Sequence, residues 1–329
     1  MNPPVLSESE ARSAGRSARE LLDNLSSVIL GRRDPLRMLV VGVLSGGHVL
    51  VEDVPGTGKT LLGTALARSL GVRLQRVQFN SDVLPSDLLG ASVVDRDTAQ
   101  ATFHAGPLAD AHLVLVDDIN RARPSTQAAL LEAMAEGQVS VEGTTYALAS
   151  PFMIIATQNP AEQEGTFPLP AAQRDRFAIR IRLGYPSGQS ELAILDRYLA
   201  GEGLPSPPEI MDVVEWARLM TVVRRVHISW AARAYVSQLA DELRSHPLIA
   251  LGPSPRASQM LARAGQAMAL LTGRTFVLPD DIKELLVPVF AHRVVLAPSA
   301  MLHGVQAETV LEEMLDGVPI PWSDREEMP

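Results

Sequence analysis

The sequence predicts an α/β fold, in which a parallel sheet flanked by helices is followed by a smaller all-α domain. Up to about Tyr185, short apolar runs alternate with amphipathic segments, as in a sheet covered on both faces. A linker rich in Gly, Pro and Ser follows at Gly201–Pro208, and the sequence beyond it has helical spacing. These two observations place a helical domain after an α/β core.

The individual elements follow from the same patterns. Four nearly continuous apolar runs predict central strands: His48–Glu52, Leu74–Phe79, Leu113–Val116 and Met153–Ala156. Helical spacing predicts helices at Thr60–Leu70, Ser125–Ala135, Ala231–Leu243, Pro255–Leu271, Pro279–Val289 and Val305–Leu315. Hairpins are predicted near residues 92–104 and 138–148, around turns at Arg96-Asp97-Thr98 and Glu142-Gly143.

These elements divide the chain into three parts. Residues 1–20 are expected to be a frayed or weakly helical leader, because Ser, Arg and Glu alternate there. Residues 21–186 form the predicted α/β core with both hairpins as inserts. Residues 187–329 form the predicted helical domain and a C-terminal tail, which is expected to be frayed.

Composition excludes several classes of protein. The formal net charge of −9 argues against a general binder of nucleic-acid backbones. The chain has no cysteine, which excludes disulfides and fits a reducing cytoplasm. The apolar run Met38–Val51 is interrupted by Ser45-Gly46-Gly47-His48 and is shorter than the about 20 residues of a membrane span. We therefore expect a cytoplasmic protein without direct membrane insertion.

The strongest motif is Pro55-Gly56-Thr57-Gly58-Lys59-Thr60, between a predicted strand and a predicted helix. Backbone N–H groups of such a loop wrap a β-phosphate, and the helix N-terminus adds its positive dipole end. Lys59 would neutralise phosphate charge, and the Thr60 hydroxyl would bind Mg²⁺. The predicted nucleotide-binding residues here are Pro55, Gly56, Thr57, Gly58, Lys59, Thr60 and Leu61. Asp53 stands where the strict pattern has Gly.

Two further strand ends carry polar residues. The run Leu113–Val116 leads into Asp117, predicted to hold Mg²⁺ with Thr60, and Asp118, predicted to orient and polarise the attacking water. The strand at Met153–Ala156 leads into Asn159, which would hydrogen-bond that water or the γ-phosphate. The sequence therefore predicts ATP and Mg²⁺ as ligands.

Two arginines complete the predicted site. Arg176 follows the last motif of the core, and Arg256 opens a helix that Ser254 can cap and Pro255 can start. A planar guanidinium suits phosphate oxygens and the charge that develops on them in a transition state. Arg174 competes with Arg176 for this role.

In this order the motifs resemble those of AAA+ ATPases, and more closely those of the MoxR family. The segments that carry the closer resemblance are Val28–Gly31, Gly46–Thr60, Val77–Phe79, Leu84–Gly90, Gly106–Leu108, Asn120–Ala122, Gln158–Pro160 and Glu164–Pro170. It extends from about residue 20 to 297.

The resemblance implies several further features. Val28–Gly31 would line an adenine pocket, with Ile29 and Gly31 as nucleotide-binding residues. Both hairpins would face the pore of a ring, which is typically hexameric. Arg176 would reach a neighbour's nucleotide, and Arg256 that of its own subunit. Partners would be proteins with von Willebrand factor A domains, on which the family acts as chaperone-like ATPases.

One departure from the family concerns Asp118, where most members have Glu. The side chain is one methylene shorter, a reach shorter by up to about 1.5 Å. Because a misplacement near 1 Å can cost about a hundredfold in rate, we predict intact ATP binding with slow turnover.

Other functions remain open at this point. A scaffold gated by nucleotide, with negligible hydrolysis, is compatible with Asp118. An AAA+ nucleic-acid motor or transcription activator is disfavoured by the net charge and by the absence of a recognisable DNA-binding module. A small-molecule kinase would leave Arg176 and Arg256 without a role.

Overall fold

The structure is a computed structural model that describes residues 6–94, 101–141, 143–160 and 165–321. The helices are α1 (Glu8–Val28), α2 (Arg33–Ser45), α3 (Lys59–Ser69), α4 (Pro85–Leu89), α5 (Pro124–Glu136), α6 (Ala171–Arg174), α7 (Gly188–Leu199), α8 (Val213–Val223), α9 (Trp230–Ser245), α10 (Pro255–Leu271), α11 (Pro279–Phe290), α12 (Pro298–Leu302) and α13 (Ala307–Gly317). The strands are β1 (His48–Glu52), β2 (Leu74–Gln78), β3 (Gly90–Val94), β4 (Ala101–Ala105), β5 (Leu113–Asp117), β6 (Gln138–Val141), β7 (Thr144–Ala147), β8 (Met153–Gln158), β9 (Phe177–Ile181), β10 (Ile249–Leu251) and β11 (Val295–Leu296).

The core is a five-stranded parallel sheet with the order β2-β5-β8-β1-β9. All four predicted central strands are confirmed, and β9 is an additional edge strand that the sequence analysis missed. Parallel strands end at the same edge of a sheet, so the polar residues that follow β1, β5 and β8 lie together.

Two apolar clusters cover the sheet. Side chains alternate along each strand, so Val49 and Val51 of β1 join one cluster while Leu50 joins the other. The first cluster continues from α1–α3 into α8–α11. The indole of Trp216 in α8 is fully buried in it and donates to the Val43 carbonyl at 3.1 Å. The helical domain therefore shares its core with the sheet.

The expected leader is largely a helix. Ser7 caps α1 by accepting from the Glu10 N–H, and the buried residues of α1 repeat at helical spacing: Ala11, Ala14, Ala18, Leu21 and Leu25. Gly15 lies so close to α10 that a Cβ there would meet the Leu270 carbonyl oxygen at 2.6 Å. Two alternatives were predicted for residues 1–20, a frayed leader and a weakly helical one, and the helical one is confirmed from Glu8 onward, where small alanines begin the buried stripe. The predicted boundary at 20/21 falls inside α1.

Both predicted hairpins are present as antiparallel pairs, β3–β4 and β6–β7. The turn at Arg96-Asp97-Thr98 lies outside the described residues, as does Glu142 of the second turn. The rings of Phe103 and Tyr146 stack at 4.2 Å, so the two hairpins contact each other. Whether they face a pore stays a prediction.

The six predicted helices are confirmed with small shifts in their ends, whereas α2, α4, α6, α7, α8 and α12 had not been predicted. No helix within the described ranges combines the length and apolar character needed to cross a membrane.

Candidate functional site

The phosphate-binding loop joins β1 to α3. Gly56 and Gly58 have φ of +83° and +92°, which side-chain-bearing residues rarely adopt, and open space surrounds the position of a Cβ at both. The loop backbone is thus bare beside the N-terminus of α3, where an anion is favoured. This local geometry fits a phosphate chain.

Asp53, the departure from the strict pattern, fixes the start of this loop. Its carboxylate accepts from the Val54 N–H at 2.8 Å and from the Gly184 N–H at 2.7 Å. The residue is buried and ties the loop to the segment after β9. The Asp53 side chain therefore holds the start of the loop in place through two hydrogen bonds, which a glycine could not form.

Lys59 is held on the loop itself. Its Nζ donates to the carbonyls of Asp53 and Val54, at 2.8 Å each. Both partners are backbone oxygens, and among the described residues the ammonium has no carboxylate partner that an incoming phosphate would have to displace.

A cavity of about 520 Å³ lies in front of the loop. It is lined by Pro55, Gly56, Gly58, Lys59, Thr60, Leu61, Arg76, Gln78, Asp117, Asp118, Arg121, Thr157 and Asn159. The structure thus brings together the predicted loop residues other than Thr57, the predicted metal ligands Thr60 and Asp117, and the predicted catalytic residues Asp118 and Asn159.

Asp117 is buried at the end of β5. One carboxylate oxygen accepts from Arg76 Nε at 2.7 Å, and the other lies 3.4 Å from the Thr157 hydroxyl. Arg76 and Thr157 were not predicted, because their place beside Asp117 depends on which strands are neighbours.

The backbone of Asp118 is in the left-handed region, with φ 56° and ψ 53°. Among the described residues, no other residue except glycine has a positive φ. Its N–H donates to Thr157 Oγ1 at 3.0 Å, and its carboxylate accepts from Gln78 Nε2 at 2.9 Å. Arg121 Nε lies 3.7 Å from the same oxygen. Aspartate is among the residues that tolerate this backbone region best.

A second, mostly apolar cavity of about 280 Å³ adjoins the loop. Val28, Ile29 and Leu30 line one part of it, together with Gly56, Thr57, Gly58 and Leu61. Ile194 and Tyr198 of α7 line another part and were missed, because α7 had not been predicted. Gly31 does not line the cavity; it sits in a turn where a Cβ would meet Ser190 Oγ at 2.3 Å.

The predicted arginines lie outside both cavities. Arg176 is half-buried, and its Nη1 donates to the Leu131 carbonyl at 2.5 Å. Arg174 lines a third cavity, which shares Asn159 with the first, and its Nε has no hydrogen-bond partner among the described residues. Burial lowers the pKa of Arg174, with Glu52 opposing the shift.

Arg256 is exposed at the second residue of α10, and Ser254 caps this helix as predicted. Ser254 bonds to Asp175, between Arg174 and Arg176, so the start of α10 lies beside that segment. The structure therefore does not bring Arg256 to the phosphate loop of its own chain. Arg256 lines neither cavity, and its expected contact with the nucleotide of its own subunit stays a prediction.

The donor set of the first cavity fits Mg²⁺ and a triphosphate. Hydroxyl and carboxylate oxygens, from Thr60 and Asp117, are the ligands that Mg²⁺ takes in enzymes of this kind. The open backbone at Gly56 and Gly58 leaves room for phosphate oxygens.

Comparisons with known proteins agree with this geometry. Residues 48–179 match the model of the ATPase family associated with various cellular activities (AAA), and residues 241–314 match the AAA lid domain. The uncharacterised protein YeaC of Bacillus subtilis is 41% identical, covering 91% of this chain and 93% of its own length. The chaperone MoxR1 of Mycobacterium tuberculosis is 35% identical, covering 97% of this chain and 86% of its own.

A solved structure shows the same architecture. The crystal structure of an ATPase candidate from Cytophaga hutchinsonii superposes with a TM-score of 0.87 at 34% identity, and covers 96% of this chain and 98% of that one. Similarity over nearly the full length, together with the assembled phosphate loop and acidic strand end, identifies the protein by family: the chain belongs to the MoxR family of AAA+ ATPases.

Proposed function

We propose that this protein binds Mg-ATP between the subunits of a homo-oligomeric ring and uses its hydrolysis to remodel or mature partner proteins. The proposal rests on the observation that the predicted site residues lie in two separate places on the chain. The first cavity gathers the phosphate loop, Asp117, Asp118 and Asn159, whereas Arg176 and Arg256 lie elsewhere on the same chain. Arg76 and Arg121 of the same chain also line this cavity but face Asp117 and Asp118, so we propose that the arginine acting on the phosphates comes from a neighbour.

The residues of the first cavity divide the work of binding. Lys59 leaves the carbonyls of Asp53 and Val54 and neutralises the β- and γ-phosphates. Thr60 and Asp117 would hold Mg²⁺, and Arg76 donates to one of the two Asp117 carboxylate oxygens. Bound Mg²⁺ supplies charge neutralisation on the phosphates. The apolar cavity with Ile29, Ile194 and Tyr198 receives the adenine.

Asp118 and Asn159 act on the attacking water. Asp118 accepts a hydrogen bond from this water and polarises it, while Gln78 fixes the carboxylate. Asn159 contacts the water or the γ-phosphate from the end of β8. With an aspartate in this place, we propose that turnover is slow.

Arg176 and Arg256 act on the nucleotide of the adjacent subunit. The proximity of the start of α10 to the segment that carries Arg176 supports a shared role for both. A guanidinium from the neighbour stabilises charge that develops during phosphoryl transfer. In P-loop enzymes such an arginine increases kcat by about 10³ to 10⁵.

The partner class is proposed by analogy with the family. We propose that proteins with von Willebrand factor A domains are the substrates, that the ring is a hexamer, and that the stacked hairpins β3–β4 and β6–β7 engage them. The M. tuberculosis relative is named a chaperone, which supports remodelling over other uses of ATP. The cytoplasmic location stays a prediction, as does the absence of nucleic-acid binding.

Phosphate release measured with malachite green tests the enzymatic part. The wild type is expected to release phosphate from ATP in the presence of Mg²⁺, and Lys59→Ala is expected to release none above background. Mass photometry with a non-hydrolysable ATP analogue tests assembly. A strict monomer under all conditions would contradict the ring.

A scaffold gated by nucleotide is the second candidate, favoured by Asp118. It predicts that ATP drives assembly while phosphate release equals that of Lys59→Ala. The same two measurements therefore distinguish the candidates.

A further inference from the structure

Asp175 lies between Arg174 and Arg176, the two candidates for the arginine that reaches a neighbour's nucleotide, and residues 171–176 are called the finger segment below. Two parts of the helical domain hold Asp175. Arg293 Nε, just after α11, donates to Asp175 Oδ1 at 3.0 Å. Ser254 Oγ, before α10, lies 2.9 Å from both carboxylate oxygens. These contacts join positions 79 and 118 residues apart in sequence.

Arg293 is built into the protein as a clamp on this segment. Its side chain is 1% exposed, and it also donates to the carbonyls of Asp175 at 3.2 Å, Phe177 at 2.5 Å and Ala178 at 3.1 Å. Burial lowers the pKa of Arg293 to about 10, with Asp175 opposing the shift, so the guanidinium stays charged at neutral pH. A buried guanidinium with a planar fork fixes the positions of the groups it binds.

Ser254 extends the clamp to α10. The same Oγ accepts from the Ala257 N–H at 3.1 Å and so caps the helix whose second residue is Arg256. Asp175 is therefore flanked in sequence by Arg174 and Arg176. Its hydrogen-bond partner Ser254 lies two residues before Arg256. Helix α6, which precedes Asp175, has only four residues, and so short a helix contributes little to fixing the position of Arg176.

We propose that Asp175 is a positioning residue that holds Arg176 and Arg256 as one cationic unit directed at the nucleotide of the adjacent subunit. This rests on the proposed function. The clamp makes the helical domain and the finger segment move together, so a displacement of α10 and α11 in one subunit shifts the arginines offered to the next. The nucleotide cavity of the same chain does not contain Asp175, Ser254 or Arg293.

Two substitutions weaken the clamp to different degrees. Asp175→Asn removes the charge that faces Arg293 and is the severe variant. Ser254→Ala keeps the ion pair and removes the hydroxyl link to α10. Ser229→Ala is the matched control, because Ser229 caps α9 by accepting from the Ala232 N–H, and its hydrogen bonds among the described residues stay within that helix. Both Ser→Ala variants lose one helix cap.

Hydrolysis and nucleotide binding are measured on the full-length assembly. Ser254→Ala is expected to lower kcat about tenfold, and Asp175→Asn further, while the Kd for a fluorescent ADP analogue stays within about twofold of the wild type. Ser229→Ala should leave both unchanged. Unchanged kcat in Ser254→Ala, or an equal fall in Ser229→Ala, overturns the proposal, and so does a parallel loss of nucleotide affinity.

Hydrogen–deuterium exchange separates this inference from the proposed function. Residues 171–176 are expected to exchange faster in Ser254→Ala than in the wild type, and residues 59–69 at the same rate. Unchanged exchange at 171–176 refutes the clamp whatever the kinetics. A wild type without measurable turnover contradicts the ATPase instead, and the exchange result then decides whether Asp175 holds the segment.

Discussion

Gln78 and Asp118 are joined across two neighbouring strands, with the Gln78 amide donating to the Asp118 carboxylate at 2.9 Å. β2 and β5 pair so that Gln78 is opposite Asp117, and Asp118 therefore follows within reach. The amide fixes a carboxylate whose backbone is in the left-handed region. The Gln78 amide thus orients the carboxylate of Asp118, the predicted catalytic residue. Its side chain has a single methylene, which limits how far the carboxylate extends from the backbone.

Asp118→Glu is expected to raise kcat, by up to about a hundredfold, since the longer side chain restores the reach of about 1.5 Å that the aspartate lacks. Steady-state ATP hydrolysis measures this, and Asp118→Asn, which keeps the shape and loses the charge, should be inactive. If Asp118→Glu shows no gain, the shorter side chain does not limit turnover. The left-handed backbone at this position, which suits Asp better than Glu, opposes part of the gain.

Tyr198→Ala is expected to raise the Kd for ATP about tenfold while kcat at saturation changes little. Tyr198 lines the apolar cavity and is remote from Asp117 and Asp118, so it contributes uniform binding. Isothermal titration with ATP measures the effect. Tyr185→Ala is the control, since Tyr185 is 75% exposed and does not line the cavity. Equal effects of the two variants would place adenine elsewhere.

Gly15→Ala is expected to destabilise the protein by about 1–3 kcal/mol, although alanine favours a helix, because its Cβ would meet the Leu270 carbonyl oxygen at 2.6 Å. Gly188→Ala, in the first turn of α7 with open space around the position, should be neutral or slightly stabilising. Urea unfolding of both variants gives the comparison. If Gly15→Ala is as stable as Gly188→Ala, α1 does not pack on α10.

The protein is expected to lose stability as the pH falls from about 6.5 to 4. Burial lowers the pKa of His48 to about 4, with the bond to the Met134 carbonyl opposing the shift, and burial also lowers the pKa of His292. In this window the unfolded chain binds protons that folded His48 does not, so the free energy of unfolding decreases with falling pH. A shift of this size corresponds to about 3 kcal/mol at the acid end.

Thermal unfolding at a series of pH values measures this loss. His48→Gln should show a shallower decrease in Tm between pH 6.5 and 4 than the wild type, with His292 still contributing. His303→Gln, at an exposed position, is the control and should follow the wild type. An identical pH slope in His48→Gln would mean that folding does not lower the pKa of His48.

The sequence predicted the central strands because both faces of each are buried, which makes them continuously apolar. β9 escaped prediction because Arg180 interrupts its apolar pattern; the side chain pairs with Glu52 at 2.9 Å and with Glu308 of α13 at 2.5 Å. α7 escaped because it has no buried residue and thus lacks a core-facing stripe.

The site could be predicted where a motif is local in sequence, as at Lys59, Thr60 and Asp117. Arg76, Gln78 and Thr157 could not, because their proximity to Asp117 and Asp118 follows from strand order. The position of Arg256 depends on how the helical domain packs on the sheet, which local patterns do not determine.

The central claim is that Arg176 completes the site of a neighbouring subunit, and subunit mixing tests it most directly. Asp118→Asn keeps Arg176 and loses the catalytic carboxylate, while Arg176→Ala keeps the carboxylate and loses the arginine. Each variant alone should be inactive. In an equal mixture of the two, about a quarter of the interfaces join an intact carboxylate to an intact arginine, and hydrolysis should recover to about a quarter of the wild-type rate. A mixture no more active than the separate variants would contradict the shared site.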